Sequence, residues 1–132
     1  FRRGRVPFTL VMADLVGFKA VNDALGHDAG DAVLLEAAKL FRLALRAQDT
    51  VARWGGDEFL LLLPETDAGG AETLCDAIRA KVAAHDFRFE DRPLQVSVSL
   101  GAATFAPGLT VAECLRQADQ AMYRSRRDGR ER

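Results

Sequence analysis

Apolar and polar positions alternate along this chain with two different periods, and the changes of period mark out its elements. Pro7 to Leu15 is a nearly unbroken apolar run, with Phe8, Leu10 and Met12 on one face and Thr9, Val11 and Ala13 on the other, which predicts a strand buried on both faces. Phe18 to Leu25 reads as a short helix stopped by Gly26. Gly30 is expected to open a longer helix, with Leu34, Ala38, Phe41 and Leu45 on its inner face and an end near Arg46. Thr50 to Trp54 and Glu58 to Leu63 are short strand-like runs around Gly55-Gly56-Asp57, closed by Pro64, and so predict a hairpin with a glycine turn. Ala71, Leu74, Cys75, Ile78 and Val82 mark an amphipathic helix. Leu94, Val96, Val98 and Leu100 then alternate with Gln95, Ser97 and Ser99, as in a half-buried strand. Thr110 is placed to cap a last helix whose inner face carries Val111, Leu115, Ala118 and Met122, before a basic tail.

Strands and helices mixed within one short chain, with a hairpin at its middle, favour an α+β fold: a mixed central sheet flanked by helices, of ferredoxin-like or palm type. The 132 residues, 48% of them hydrophobic, suffice for one domain with its own core. Because the chain opens on Phe1 and closes on a polar tract, residues 1–132 are expected to be one domain cut from a larger protein.

Charge narrows the partners. Eighteen basic and 19 acidic residues leave a net charge of -1, so there is no broad basic field for a nucleic-acid polymer, and only a small anionic ligand held locally remains. This also argues against a polymerase palm fragment, which needs a basic template groove. Cys75 and Cys114 lack metal-ligand spacing and read as buried free thiols, in keeping with a reducing cytoplasm. No apolar run reaches about 18 residues, so the domain is expected to be soluble.

Candidate chemistry gathers at two carboxylates. Asp14 ends the first strand and Asp57 sits in the hairpin turn; with those strands adjacent, both project from one edge, where they could hold Mg²⁺. Two unrelated turn aspartates are the plainer alternative. The segment Arg53-Trp54-Gly55-Gly56-Asp57-Glu58-Phe59 adds two glycines that let a phosphate approach the backbone closely.

With that turn stand Asp14-Leu15-Val16-Gly17-Phe18-Lys19, Asn22-Asp23, Gly26-His27, Gly30-Asp31, Ser99-Leu100-Gly101, and Ala118-Asp119 with Tyr123. Their order and spacing resemble the GGDEF family of diguanylate cyclases over nearly the whole chain. The resemblance implies a nucleotidyl cyclase fold in which the glycine turn is the GGDEF β-hairpin. It further implies a metal-dependent enzyme, using Mg²⁺ or Mn²⁺, that condenses two GTP into cyclic di-GMP and two pyrophosphates across a homodimer.

By the same resemblance, Asp14, Asp57 and the Leu15 carbonyl would be metal ligands. Asp57 and Glu58 in the Gly55-Gly56 turn would share the catalytic work, with the division between them open. Asn22 and Asp31 would read guanine, whose N1-H and N2-H suit a carboxylate; otherwise they are a turn residue and a first-turn helix acid. The N-H groups of Gly17 and Phe18, with Arg126 and Arg130, would take phosphate oxygens, although a solvated basic tail competes with that reading. Arg46 and Asp49, at the family's spacing before Gly55, would bind cyclic di-GMP as an inhibitor; a helix-end ion pair is the ordinary explanation.

The pattern is broken at Val16, where the family usually has a second aspartate, at Arg126 for lysine, and at Glu131 for asparagine. The family's N-terminal Asp-x-Leu-Thr-Gly-Leu-x-Asn-Arg segment is also missing. Hence a second reading stays open, a catalytically silent domain that binds GTP or cyclic di-GMP and regulates a partner. In either case a sensor domain is expected in the full-length protein.

Overall fold

A computed structural model describes residues 7–127. Its elements are β1 (Phe8–Val16), α1 (Phe18–Leu25), α2 (His27–Ala44), β2 (Thr50–Arg53), β3 (Glu58–Pro64), α3 (Ala68–Ala84), β4 (Arg88–Phe89), β5 (Arg92–Pro93), β6 (Ser97–Thr104) and α4 (Val111–Arg127). The fold is α+β, with one four-stranded sheet in the order β2-β3-β1-β6 and antiparallel pairing throughout that sheet.

The apolar run of β1 makes it a central strand, covered on both faces as expected. Val11, Ala13 and Leu15 face the larger core with Val33, Phe41, Ile78 and Val82 of α2 and α3. Leu10 and Met12 face a smaller core under Cys114, Ala118 and Met122 of α4. Helices therefore flank both sides of the sheet, and Cys75 and Cys114 are buried and unpaired.

Four sequence expectations change. The long helix starts at His27, because Gly26, at φ 93° and ψ 174°, turns the chain directly from α1 into α2, and it ends at Ala44, with Leu45 already extended. The strand expected from Leu94 begins only at Ser97 and continues to Thr104. It is not half-buried: Ser99 is fully enclosed, since α4 covers the face that its small polar residues seemed to give to solvent. Gly101 allows that cover, because a Cβ there would strike the backbone of Met122, Ala118 and Ala121. Val111 lies exposed rather than inward, being the first residue of α4. The small β4–β5 hairpin had no signal in the alternation.

The predicted cap is present. Thr110 Oγ1 accepts from the Glu113 N-H at 3.0 Å, and Glu113 Oε1 accepts from the Thr110 N-H at 2.8 Å, a reciprocal capping box.

Candidate active site

The sheet register itself gathers the acids. Asp14 lies opposite Glu58 in the β1–β3 ladder, and the Leu15 N-H donates to the Asp57 carbonyl at 3.1 Å. The end of a buried strand and the base of the hairpin turn thus meet at one sheet edge.

The turn is tied from inside. Trp54 N-H donates to the Glu58 carbonyl at 2.8 Å, and the Arg53 guanidinium donates to the Gly56 carbonyl at 2.7 and 3.1 Å. Among the described glycines with positive φ, Gly55 and Gly56 are absent, and a Cβ on Gly56 would meet nothing within 4 Å. Backbone conformation does not demand glycine here; open space above the peptide is what these residues provide.

Asp14 is buried, with a side chain only 9% exposed. Burial first, then the charge of Asp57 beside it, pushes its carboxyl from 3.8 up to about 7; Glu58 adds to the rise and Arg126 opposes it. Its Oδ1 is enclosed without a hydrogen-bond donor, while Oδ2 accepts from Arg126 Nη1 at 2.6 Å. Glu58 is also raised, by burial and by the charges of Asp119 and Asp57. This edge concentrates negative charge that its own cations only partly offset.

The donors are hard carboxylate and carbonyl oxygens, and one buried oxygen has no partner, which suits Mg²⁺ or Mn²⁺. Among the described residues no three His, Cys, Asp or Glu side chains close into a cage. An ion here would therefore complete its shell with backbone, water or substrate oxygens.

Around this edge the predicted residues take separate places. Gly17, the N-cap of α1, has φ 98°, and a Cβ on it would strike the Gln95 carbonyl, so the tight exit from β1 requires glycine. No side chain caps α1, which leaves its first N-H groups open to a ligand, and Phe18 packs against the larger core. Gly30 of α2 lies directly against the Asn22 amide, which brings Asn22 and Asp31 to the α1–α2 junction. Asp31 is exposed and lines a groove of about 480 Å³ with Leu34, Leu35, Val51, Arg53 and Phe59; Asn22 is not part of that wall.

Arg126, a phosphate ligand by the family resemblance, contacts Asp14 in this structure. Arg130 lies outside the described residues. Arg46 and Asp49 do form the ordinary ion pair, with Nη2 to Oδ1 at 3.1 Å and Nε to Oδ2 at 3.3 Å. Arg46 Nη2 also donates to the Pro64 carbonyl at 2.8 Å and to Thr66 Oγ1 at 2.5 Å, at the wall of a second groove of about 520 Å³.

Sequence reasoning gave Asp119 no role, yet it lines a cleft of about 550 Å³ with Asp14, Glu58, Tyr123 and Arg124. The available signal was helical spacing: Asp119, Met122, Tyr123 and Arg126 share one face of α4. Among the described residues no helix is long and apolar enough to cross a membrane.

Comparison with known proteins agrees with this geometry. Residues 2–132 match the family described as "Diguanylate cyclase, GGDEF domain". The chain is 40% identical over 124 residues to the bifunctional diguanylate cyclase/cyclic di-GMP phosphodiesterase MucR of Pseudomonas aeruginosa, covering 93% of this chain and 18% of that protein. It is 44% identical over 122 residues to the probable diguanylate cyclase DgcE of Escherichia coli, covering 92% of this chain and 11% of that protein. The chain thus spans less than a fifth of either relative. Among solved structures, the GGDEF domain of DgcB from Caulobacter crescentus in complex with c-di-GMP superimposes with a TM-score of 0.91 at 31% identity, covering 98% of this chain and 77% of that one. The active GGEEF domain of a diguanylate cyclase from Vibrio cholerae gives 0.87 at 35%, covering 96% and 81%. On sequence, fold and the placement of Asp14 beside the Gly55-Gly56-Asp57-Glu58 turn, this chain belongs to the GGDEF-domain family of diguanylate cyclases.

Proposed function

We propose that this domain is a diguanylate cyclase that converts two GTP into cyclic di-GMP and two pyrophosphates. The observation that carries the reading is the acidic edge: Asp14 is buried opposite Glu58, with Asp57 beside it and an open diglycine turn above. A silent fold has no chemical need to hold three acids together at that cost.

Each domain would hold one GTP. Asp31 and Asn22 accept from the guanine edge, and the N-H groups of Gly17 and Phe18 take terminal phosphate oxygens at the uncapped start of α1. Two domains face each other so that the 3'-OH of one nucleotide meets the α-phosphate of the other. In each half-reaction a bond forms from the 3'-oxygen to phosphorus, the bond to the bridging oxygen breaks, and pyrophosphate leaves with the electron pair.

A bound Mg²⁺ or Mn²⁺, held by Asp14, Asp57 and the Leu15 carbonyl, would supply charge neutralisation at the α-phosphate and a more acidic 3'-OH. Glu58, whose affinity for a proton is raised, would receive the proton from that hydroxyl. The groove at Arg46 and Asp49 is the place for cyclic di-GMP as feedback inhibitor, in which case its ligand must compete with contacts the guanidinium already makes. This domain would work in the cytoplasm, and the full-length protein would add a sensor domain; the relatives that the chain matches are much longer than it is.

A silent, nucleotide-binding role is favoured by one observation, the Arg126 contact that already occupies Asp14. Cyclic di-GMP and pyrophosphate formation from GTP and Mg²⁺, measured on the artificially dimerised domain and on its Asp57→Ala variant, separates the two. Product from the parent that vanishes in the variant supports the cyclase. Tight guanine-specific binding without product would replace that reading with the silent one.

A further inference from the structure

Asp14 and Arg126 are 112 positions apart in sequence, yet Arg126 Nη1 donates to Asp14 Oδ2 at 2.6 Å. The contact is asymmetric. Asp14 is fixed inside β1 with its side chain 9% exposed, whereas Arg126 is 46% exposed and stands in the last turn of α4 on a long side chain. One end of the pair is thus enclosed in the sheet, and the other reaches it on a long, half-exposed side chain. A divalent ion bound to Asp14 would lie within a few ångströms of the guanidinium, where like charges in a partly buried setting repel. Oδ1 is free for the ion while Oδ2 holds the guanidinium, so the two cations compete for one carboxylate and each weakens the hold of the other.

From this geometry, and resting on the cyclase reading above, we infer that Arg126 is a built-in counter-ion of Asp14, which holds the carboxylate while the metal position is empty. It passes to the nucleotide's phosphates when the ion and triphosphate arrive together. Arg126 then has two successive partners, and the phosphate role expected from sequence is the second of them. The consequence is linkage: nucleotide draws Arg126 off Asp14 and so tightens the ion's binding, and the ion does the same for nucleotide.

Mn²⁺ titrated into the full chain, with free ion followed by electron paramagnetic resonance, tests this without turnover. Three proteins are compared, the parent, Arg126→Gln and Arg124→Gln, each checked for folding by circular dichroism. Arg124 lines the cleft that Asp14 also lines and controls for simple loss of positive charge. Without nucleotide, Arg126→Gln should bind Mn²⁺ about tenfold tighter than the parent, the scale of one charge-assisted contact. Adding 3'-deoxy-GTP, which lacks the attacking hydroxyl, should raise Mn²⁺ affinity more in the parent than in Arg126→Gln. Equal or weaker binding by Arg126→Gln, or an equal gain in Arg124→Gln, would overturn the inference while leaving the cyclase reading intact. Failure of all three proteins to bind Mn²⁺, with or without nucleotide, would sink the metal-dependent reading itself, and this inference with it.

Discussion

Replacing Asp14 by asparagine should make the metal-free protein more stable at neutral pH, although it removes an ion pair. Asp14 in the folded chain takes its proton near 7 rather than at 3.8, chiefly through burial and the charge of Asp57. Because the folded value is the higher one, the folded chain binds that proton more tightly than the unfolded chain does. The stability Asp14 contributes is therefore complete below about 3.8 and is lost as pH rises toward 7. At about 1.4 kcal/mol per pH unit, the interval sets a ceiling of about 4 kcal/mol on that loss. The site lies at an open sheet edge where water and ions screen it, and asparagine forfeits the charge of its bond to Arg126. About 1–2 kcal/mol should remain in the variant's favour. For a domain of this size that is roughly 4–8 °C in Tm. Thermal unfolding in EDTA should show no gain near pH 4, a growing gain toward pH 7, and a plateau above it. Mg²⁺ should then stabilise the parent and not the variant. If Asp14→Asn is no more stable than the parent at pH 8 in EDTA, the Arg126 pair outweighs the crowding of carboxylates and the account of this edge is wrong.

Two further substitutions probe the frame and the pocket. Gly101→Ala puts a methyl into the backbone of α4 and should cost about 3 kcal/mol, seen in urea unfolding as a lower midpoint at unchanged slope; an unchanged midpoint would mean that α4 can lift off β6 freely. Asp31→Ala should weaken GTP binding by roughly tenfold to a hundredfold and leave weak ATP binding as it is, so a competition assay that still favours GTP as strongly would remove Asp31 from guanine recognition.

How legible the molecule was in its sequence depends on how local each signal is. β1 and the hairpin could be read because an apolar run and a diglycine turn announce themselves within a few residues, and the pairing of Asp14 with the turn follows once β1 and β3 are neighbours. The far face of β6 could not, since Ser97 and Ser99 look alike whether water or a closely packed helix lies above them, and only the approach of α4 decides. The same dependence hid the Arg126–Asp14 contact, which requires α4 to end over the tip of β1. The start of α2 moved, and that of α3 could not be read, for a related reason. Gly26 serves both α1 and α2, and Asp67, accepting from the Gly70 N-H at 2.9 Å, starts α3 ahead of its apolar stripe.

The hairpin turn carries glycine where the backbone does not call for it. Alanine fits the conformation of Gly56 and would restrict the unfolded chain, which stabilises a protein by about 0.4–1 kcal/mol where no strain is introduced. The parent thus forgoes a small gain in stability to keep a bare peptide at the rim of its acidic edge. Firmness and access are set against each other at a single residue, and a methyl group there would improve the fold while narrowing the open space over the turn.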